Sequence, residues 1–484
     1  MDHRVSVGDD VALKIDGPLS IRHLRESERE EDLMASADRQ AITGGYGSLN
    51  GSLHTFLSEV RTDLEQGVLS PRVLNDPDLH RAELDRIFTK CWVFVGHVSE
   101  IPSPGDYVLR YVGEDQFILV RDEQGEIQLL LNNCVHRASP VCRAEKGNTS
   151  HFRCPYHGWI YKNSGEWNGA PYRAKAYRKL DADRWGLRKA PHVDSYQGLI
   201  FACLDPDAVP LREYLGDMCW YLDVVFGLKE QGMRVVGEPH RWIVPSNWKS
   251  GAENFVGDGY HVQSAHRSLS DIGLVPTERS AGLHVSLNNG HGVLVIERTV
   301  PESFGATDFP PEVASTFELD RLDDNQRAFL TRHSVVGFTI FPNLSLFRAA
   351  GVTEDGRPTA VQISLRQWQP RGPEQMELWN WPMVWDSAPE EFNRASYDAS
   401  VFSFGPSGVF EQDDTVVWRG GPTVGRSVFA RKGMKLNFQM GMDGMSDYED
   451  IPDWMGPGEA STTFFGERNQ RRWWQRWSEA LAAS

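Results

Sequence analysis

The sequence predicts an α+β protein with a small all-β domain and a larger domain in which an antiparallel sheet is surrounded by helices. Short alternating or apolar runs, YVLRYV, QFILVRD and EIQLLLNN, are separated by GED and EQGE turns, which is typical of an antiparallel β domain. Beyond Pro210, apolar runs such as HSVVGFTIF and AVQISLRQW mix with helical stretches near 388–418 and 467–482. The length of 484 residues is sufficient for two cores.

Composition narrows the function class. The formal charge of −17 argues against a nucleic-acid or anionic-membrane partner. The longest apolar runs, such as WVFVG and GVLVI, have the length of strands and are too short to span a bilayer, and the first residues show no signal-peptide pattern. Six cysteines are too sparse for a disulfide framework. We therefore expect a cytoplasmic protein.

The predicted elements suggest three parts. Residues 1–50 form an N-terminal accessory segment that ends in a flexible stretch, TGGYGSLNGS. Residues 97–209 form the small β domain, and residues 51–96 together with 210–484 form the larger domain. Within the first part of the larger domain, Asp76 is a plausible helix N-cap and Pro77 fits the first helical position, so we expect a helix over 76–92.

Two short pairs of metal-binding residue types lie in the small domain. Cys134 and His136 form the first pair, and Cys154 and His157 form the second pair. Zinc is one alternative, but zinc fingers usually space their cysteines together and their histidines together. One thiol and one imidazole from each turn suits a [2Fe–2S] cluster with two cysteines on one iron and two histidines on the other. The segment, with its string CPYHGW, resembles the Rieske motif.

A second set of candidate ligands lies in the larger domain. His261 and His266 would point about 140° apart on a regular helix, so they can converge only if the helix is distorted or ends between them. Asp413 and Asp414 follow a Gly-Pro-Ser-Gly turn, where helix capping or a solvated face is the alternative role. Two histidines and one carboxylate are the facial triad of non-haem iron oxygenases.

The order of these motifs carries a family resemblance. The chain contains a Rieske segment, then ENFVGDGYHVQSAH, then FGPSG followed by Asp413 and Asp414. This order resembles the large (α) subunit of Rieske non-haem iron ring-hydroxylating dioxygenases, in the naphthalene-dioxygenase-like group. The resemblance implies a Rieske [2Fe–2S] cluster and a mononuclear Fe(II) held by His261, His266 and Asp414. It also implies catalytic roles for Asn254 and for Asp258, which would link an iron histidine to a Rieske histidine of the neighbouring subunit. The implied substrate-pocket residues are Phe255, Gly259, Val262, Phe404 and Phe410.

The resemblance implies partners as well as a reaction. They are O₂, an aromatic substrate, a ferredoxin, an NADH-dependent reductase, and either a small β subunit in an α₃β₃ assembly or an α₃ homotrimer. From Cys134 to Ala190 there are twelve Lys and Arg against four Asp and Glu, and this excess suggests a docking face for an acidic ferredoxin or simply a solvated surface.

The expected reaction is cis-dihydroxylation of an aromatic ring. Arg348 could hold a substrate carboxylate or lie at a subunit contact, so a polycyclic hydrocarbon and an aromatic acid such as phthalate are both open. The alternatives are a monooxygenase or demethylase with the same ligands, a Rieske electron-transfer protein, and a zinc-binding scaffold.

Overall fold

The segment before the small β domain begins with two helices. In the computed structural model, α1 (Gly51–Glu65) and α2 (Pro77–Glu83) flank a short strand, β1 (Val68–Leu69). The Asp76 side chain accepts the backbone N–H groups of Asp78 and Leu79, so it caps α2 as predicted. The α-helix is shorter than the predicted 76–92, because after Glu83 it widens into a π-helical turn, Leu84–Phe88, before strand β2 (Val93–His97).

The structure describes residues 51–230, 232–272, 282–298, 308–352, 358–442, 451, 453–461 and 466–483. The accessory segment predicted over residues 1–50 lies outside these described residues. From Asn50 onward the chain forms one compact unit.

The small domain is built from three antiparallel sheets. Its elements are β3 (Asp106–Val112), β4 (Asp115–Arg121), β5 (Ile127–Leu131), β6 (Lys146–Asn148), β7 (His151–Arg153), β8 (Ile160–Lys162), β9 (Trp167–Gly169), α3 (Arg173–Ala176), β10 (His192–Tyr196) and β11 (Leu199–Cys203). The sheet orders are β5-β4-β3-β6, β7-β8-β9 and β10-β11-β2. Because β2 pairs with β11, the strands of this domain begin at Val93, before the expected boundary at residue 97.

In its described residues, the larger domain contains a nine-stranded antiparallel sheet with helices. Its strands are β12 (Met233–Val235), β13 (His240–Val244), β14 (Gly282–Ser286), β15 (Gly292–Glu297), β16 (His333–Ile340), β17 (Leu344–Val352), β18 (Pro358–Pro370), β19 (Met376–Trp385) and β21 (Glu459–Ser461), and a short β20 (Leu436–Asn437) pairs with β1. The strand order is β12-β19-β18-β17-β16-β15-β14-β21, and β13 also pairs with β19. The α+β prediction is confirmed.

The helices of the larger domain are interspersed with its strands along the chain. They are α4 (Leu211–Leu215), α5 (Met218–Phe226), α6 (Trp248–Gly257), α7 (Val262–Ala265), α8 (Arg267–Asp271), α9 (Pro311–Ala314), α10 (Asp324–Arg332), α11 (Glu390–Phe404), α12 (Val409–Trp418), α13 (Gly420–Arg426) and α14 (Arg468–Ala482). In α14 the side chains of Trp474, Trp477 and Leu481 are buried. Among the helices of the described residues, none combines the length and the apolar character that a membrane crossing requires.

A buried carboxylate joins α14 to α6. Glu83, at the end of α2, has no exposed surface and accepts hydrogen bonds from the Lys249 ammonium at 2.5 Å and from the indole N–H groups of Trp248 and Trp477 at 2.9 Å. Because α6 carries Trp248 and Lys249 in its first turn, the carboxylate fixes the start of the helix that leads to His261.

Candidate functional site

The two cysteine-histidine pairs lie in two similar turns of the small domain. In the turn after β5, the Cys134 N–H donates to the Ser139 carbonyl at 2.9 Å; between β7 and β8, the Cys154 N–H donates to the Trp159 carbonyl at 2.8 Å. Each turn closes through a residue with positive φ, Ala138 at 54° in the first turn and Gly158 at 69° in the second.

The four donors are arranged as the resemblance implies. Both thiols are 2% exposed, and the imidazole rings of His136 and His157 lie 4.6 Å apart between centroids. Burial raises the pKa of the Cys134 thiol, and the neighbouring Cys154 adds to this effect. His136 Nδ1 is buried without a hydrogen-bond partner among the described residues, which leaves it open for a metal. This donor set fits a Rieske cluster.

Aromatic side chains surround the cysteine-histidine turns. The Trp159 ring stacks on His136 with a centroid distance of 4.9 Å and an interplanar angle of 5°. The Tyr161 hydroxyl lies 3.0 Å from Cys134 Sγ and can donate to a thiolate there. Cys142, which lies between the two pairs along the chain, is buried with its sulfur 3.4 Å from the Ala144 carbonyl oxygen.

The second donor set depends on an interrupted helix. Helix α6 ends at Gly257, α7 begins after His261, and His266 separates α7 from α8 with φ −100° and ψ 23°. This break removes the 140° divergence of a regular helix. Asp414, on α12, completes the group, and the candidate ligand atoms of the three residues lie within 4.8 Å of one another.

The charge of the second donor set favours a cation. Asp414 Oδ1 is buried, lies 3.4 Å from His261 Nε2 and 3.3 Å from His266 Nε2, and makes no hydrogen bond among the described residues. Burial alone would raise the pKa of Asp414, but the two imidazoles hold it below its usual value. Burial alone would lower the pKa of His261, but Asp258 and Asp414 raise it to about 10. Two imidazoles and one carboxylate facing a common point fit a mononuclear iron.

The Nδ1 atoms of both histidines also make contacts that orient the rings. His261 Nδ1 donates to the Asp258 backbone carbonyl at 2.6 Å, and His266 Nδ1 lies 3.2 Å from Asp413 Oδ2. These contacts direct each Nε2 toward Asp414. The contact of Asp413 with His266 was not predicted. In the sequence, Asp413 was identified only as the neighbour of the candidate ligand Asp414.

Asp258 and Asn254 lie beside His261. The Asp258 carboxylate accepts the His261 backbone N–H at 3.1 Å and the Asn254 side-chain N–H at 3.3 Å. Asn254 Nδ2 is also 3.4 Å from His261 Nδ1. Both residues predicted to be catalytic therefore contact this candidate ligand.

Aromatic rings line the space next to the donors. Phe410 lies 5.0 Å from the His266 ring and stacks on Phe404 at 5.3 Å, and Phe404 lies 6.1 Å from Phe255. Gly259 is buried in the turn after α6, and Val262 is half-buried at the start of α7. Sequence did not identify Phe347, on β17, whose ring lies 4.5 Å from Phe404.

Arg348 forms an ion pair within the chain, so its guanidinium is already bound and the structure gives no support to its predicted role in binding a substrate carboxylate. Successive residues of a strand face opposite sides of the sheet, and Phe347 already faces Phe404. Arg348 Nη1 binds Asp308 Oδ2 at 2.9 Å, and its side chain is 11% exposed. Arg298 also binds Asp308, at 3.0 Å, so Arg348 belongs to an internal ion-pair cluster.

The fold and the two donor sets define a two-domain iron oxygenase subunit. A Rieske [2Fe-2S] domain matches residues 91–196, and the catalytic domain of the ring hydroxylating alpha subunit matches residues 211–465. The chain therefore belongs to the ring-hydroxylating oxygenase alpha subunits, with a Rieske [2Fe–2S] cluster and a mononuclear iron as its cofactors. The family and cofactor predictions are confirmed.

The chain is similar to individual relatives that carry out different oxygenase reactions. The chain is 41% identical over 435 residues to the N,N-dimethyl phenylurea N-demethylase subunit alpha of Sphingobium sp. (strain YBL2). The aligned region covers 87% of this chain and 93% of the relative. It is 32% identical to the benzene 1,2-dioxygenase subunit alpha of Pseudomonas putida over 90% of this chain and 96% of the relative. The naphthalene 1,2-dioxygenase from Rhodococcus sp. bound to indole is a structural neighbour with TM-score 0.84 and 41% identity, covering 90% of this chain and 100% of that chain.

Proposed function

We propose that this chain is the terminal oxygenase subunit that adds both atoms of O₂ to an aromatic ring as a cis-dihydrodiol. The observation that carries the proposal is the row of Phe255, Phe404 and Phe410 beside the converging donors, since such rings suit a flat apolar substrate. Arg348 was the reason to consider phthalate-like acids, and it is paired with Asp308. The proposed substrate class is therefore a neutral aromatic, such as a polycyclic hydrocarbon.

The site residues have two proposed roles: some would hold the cofactors, and others orient the histidine ligands. Cys134, His136, Cys154 and His157 would hold the cluster, and His261, His266 and Asp414 would hold the mononuclear iron. When bound, the cluster supplies single electrons and the iron supplies the centre for O₂ activation. The Asp258 carbonyl and the Asp413 carboxylate keep the histidines oriented, and the phenyl rings exclude water from the substrate space.

Oxidative N-demethylation of an aromatic substrate is the second candidate. The 41% identity to a phenylurea N-demethylase subunit supports it. The same three metal ligands serve both reactions, so the position of the bound ring or N-methyl group decides between them. The electron-transfer alternative loses its support because the catalytic-domain match covers residues 211–465.

A ferredoxin is the proposed electron donor, with an NADH-dependent reductase behind it. All twelve Lys and Arg residues from Cys134 to Ala190 are exposed, as a docking face for an acidic protein requires. An increase in ionic strength should then lower the ferredoxin-dependent rate at limiting ferredoxin. A rate independent of salt would reject the docking face.

We keep α₃ or α₃β₃ as the proposed assembly and the cytoplasm as the proposed compartment. Asp258 is 27% exposed in its side chain, so a face of it is available to a neighbouring subunit. All six cysteines are free thiols in the described structure, which suits a reducing compartment.

Isotope labelling tests the reaction directly. The iron-loaded protein is combined with its small subunit, a ferredoxin, a reductase and NADH under ¹⁸O₂, and naphthalene and an N,N-dimethyl phenylurea are offered side by side. Two labelled oxygens in one ring product support the dioxygenase proposal. A demethylated phenylurea with formaldehyde supports the second candidate. NADH oxidation without an oxygenated product from either compound would reject both.

A further inference from the structure

A buried ion pair lies directly behind the aromatic rings of the site. Arg366, on β18, is 0% exposed and binds the carboxylate of Glu411, on α12, which is 1% exposed. Glu411 also accepts hydrogen bonds from the Trp242 indole N–H at 3.3 Å and from the Thr415 hydroxyl at 3.4 Å. Neither charged residue is among the ligands or pocket residues that sequence predicted.

The Arg366 guanidinium is enclosed by aromatic rings. Its central carbon lies 4.8 Å from the centroid of Phe404 and 5.1 Å from the centroids of Phe255 and Trp368. Its Nη1 also lies 3.5 Å from the Phe404 carbonyl oxygen. Phe255 is on α6 and Phe404 ends α11, so one side chain contacts both helices that supply these rings.

The partner carboxylate is on the helix that carries a candidate iron ligand. Glu411 precedes Asp414 by three residues, which places both on one face of α12. Between them along the chain, Asp413 contacts His266, and Phe410 on the preceding position stacks on Phe404. A shift of α12 against β18 would therefore move a ligand, an orienting carboxylate and a pocket ring together.

Stability alone does not explain a charged pair at this position. Burying two charges carries a large desolvation cost, and apolar residues of similar volume often stabilise a core as well or better. What the pair provides is a fixed distance between β18 and α12, because a guanidinium and a carboxylate bind in few geometries.

We propose that Arg366 and Glu411 are positioning residues that set the place of Asp414 and of the Phe255 and Phe404 rings. This inference rests on the proposed role of Asp414 as an iron ligand. It predicts that the mononuclear iron leaves faster when the pair is removed, although neither residue belongs to the donor set.

The test compares two buried pairs of the same kind. The variant Arg366→Met with Glu411→Met removes both charges together, so that neither is left unpaired. The control is Arg110→Met with Glu100→Met. The side chains of Arg110 and Glu100 are also buried and paired with each other. Glu100 also accepts an indole N–H, from Trp381, and Arg110 also lies over indole rings. Its members contact none of the donor residues in the described structure.

Iron retention is the measurement. Purified full-length protein is loaded with Fe(II), exposed to a chelator, and sampled for the electron paramagnetic resonance signal of its nitric-oxide adduct, with the reduced Rieske signal as internal standard. We expect the Arg366 and Glu411 double variant to lose the mononuclear signal at least tenfold faster than the control, with an equal Rieske signal. Equal loss rates in the two double variants would overturn the inference.

Two further variants keep the outcomes separate. Arg366→Lys retains the charge without the planar fork, and we expect it to fold and to lose iron at an intermediate rate; a rate equal to wild type would count against positioning by the guanidinium. Asp414→Asn tests the ligand role itself. If it retains iron, both proposals fail; if it loses iron while the Arg366 and Glu411 variant matches the control, only the positioning inference fails.

Discussion

Removing the charge of Glu83 should strongly destabilise the larger domain, although Glu83 lies outside the iron site. In Glu83→Gln, the fully buried Lys249 ammonium loses the Glu83 carboxylate, which lies 2.5 Å away and is its only anionic contact among the described residues. Burial already lowers the pKa of Lys249, and the Glu83 carboxylate partly offsets that effect. Breaking a buried pair by removing one partner costs about 3–5 kcal/mol. The amide retains one acceptor oxygen, so one of the two indole N–H groups also loses its partner, which costs roughly 1–3 kcal/mol and is not fully additive.

We therefore expect Glu83→Gln to lose about 4 kcal/mol of unfolding free energy, measured from urea-unfolding curves followed by tryptophan fluorescence. Adding Lys249→Met removes the unpaired charge and should recover more than half of the loss. The exposed pair of Arg394 and Asp398 supplies a control, since Asp398→Asn should cost less than about 0.5 kcal/mol. A loss below about 1 kcal/mol in Glu83→Gln, or no recovery with Lys249→Met, would refute this account of the buried pair.

Three further predictions concern single side chains. Asp413→Asn should weaken Fe(II) retention about tenfold through misorientation of His266, a typical effect of losing a carboxylate behind a metal ligand, and chelator competition against Gln412→Ala measures it. Tyr161→Phe removes the hydroxyl 3.0 Å from Cys134 Sγ and should lower the Rieske reduction potential in a redox titration, whereas an unchanged potential would exclude that hydrogen bond. Burial lowers the pKa of His291 to about 4, and its neutral ring donates to the Tyr214 carbonyl and accepts the Phe341 N–H. Because the unfolded chain binds the proton near pH 6.5, stability should fall by about 3 kcal/mol as pH drops from 6.5 to 4, and His291→Gln should flatten that dependence in urea titrations across this range.

The sequence was most informative where a feature is local. The Rieske donors come from two short turns, and the cap at Asp76 depends on its immediate neighbours, so spacing and residue type were sufficient. The interruption between His261 and His266 was also foreseeable, because a regular helix could not bring both rings to one metal.

The features that sequence did not identify depend on the register of distant strands and helices. Phe347 and Arg348 are adjacent, and only the pairing of β17 in the sheet decides which of them faces Phe404. Arg366 and Glu411 are on different elements, and each alone is typical of a solvated surface in a sequence. The contact of Asp413 with His266 likewise requires α12 to pack beside α7.

The spacing of the two donor sets along the chain bears on how the protein acquires its metals during synthesis. The Rieske donors lie between residues 134 and 157, whereas the proposed mononuclear ligands extend from 261 to 414, and α14, which packs against α6, follows at residue 468. On the ribosome, the cysteine-histidine turns emerge complete before any mononuclear ligand has been made. Cluster insertion can therefore begin on a nascent chain, whereas the proposed mononuclear site is incomplete until residue 414 has been translated.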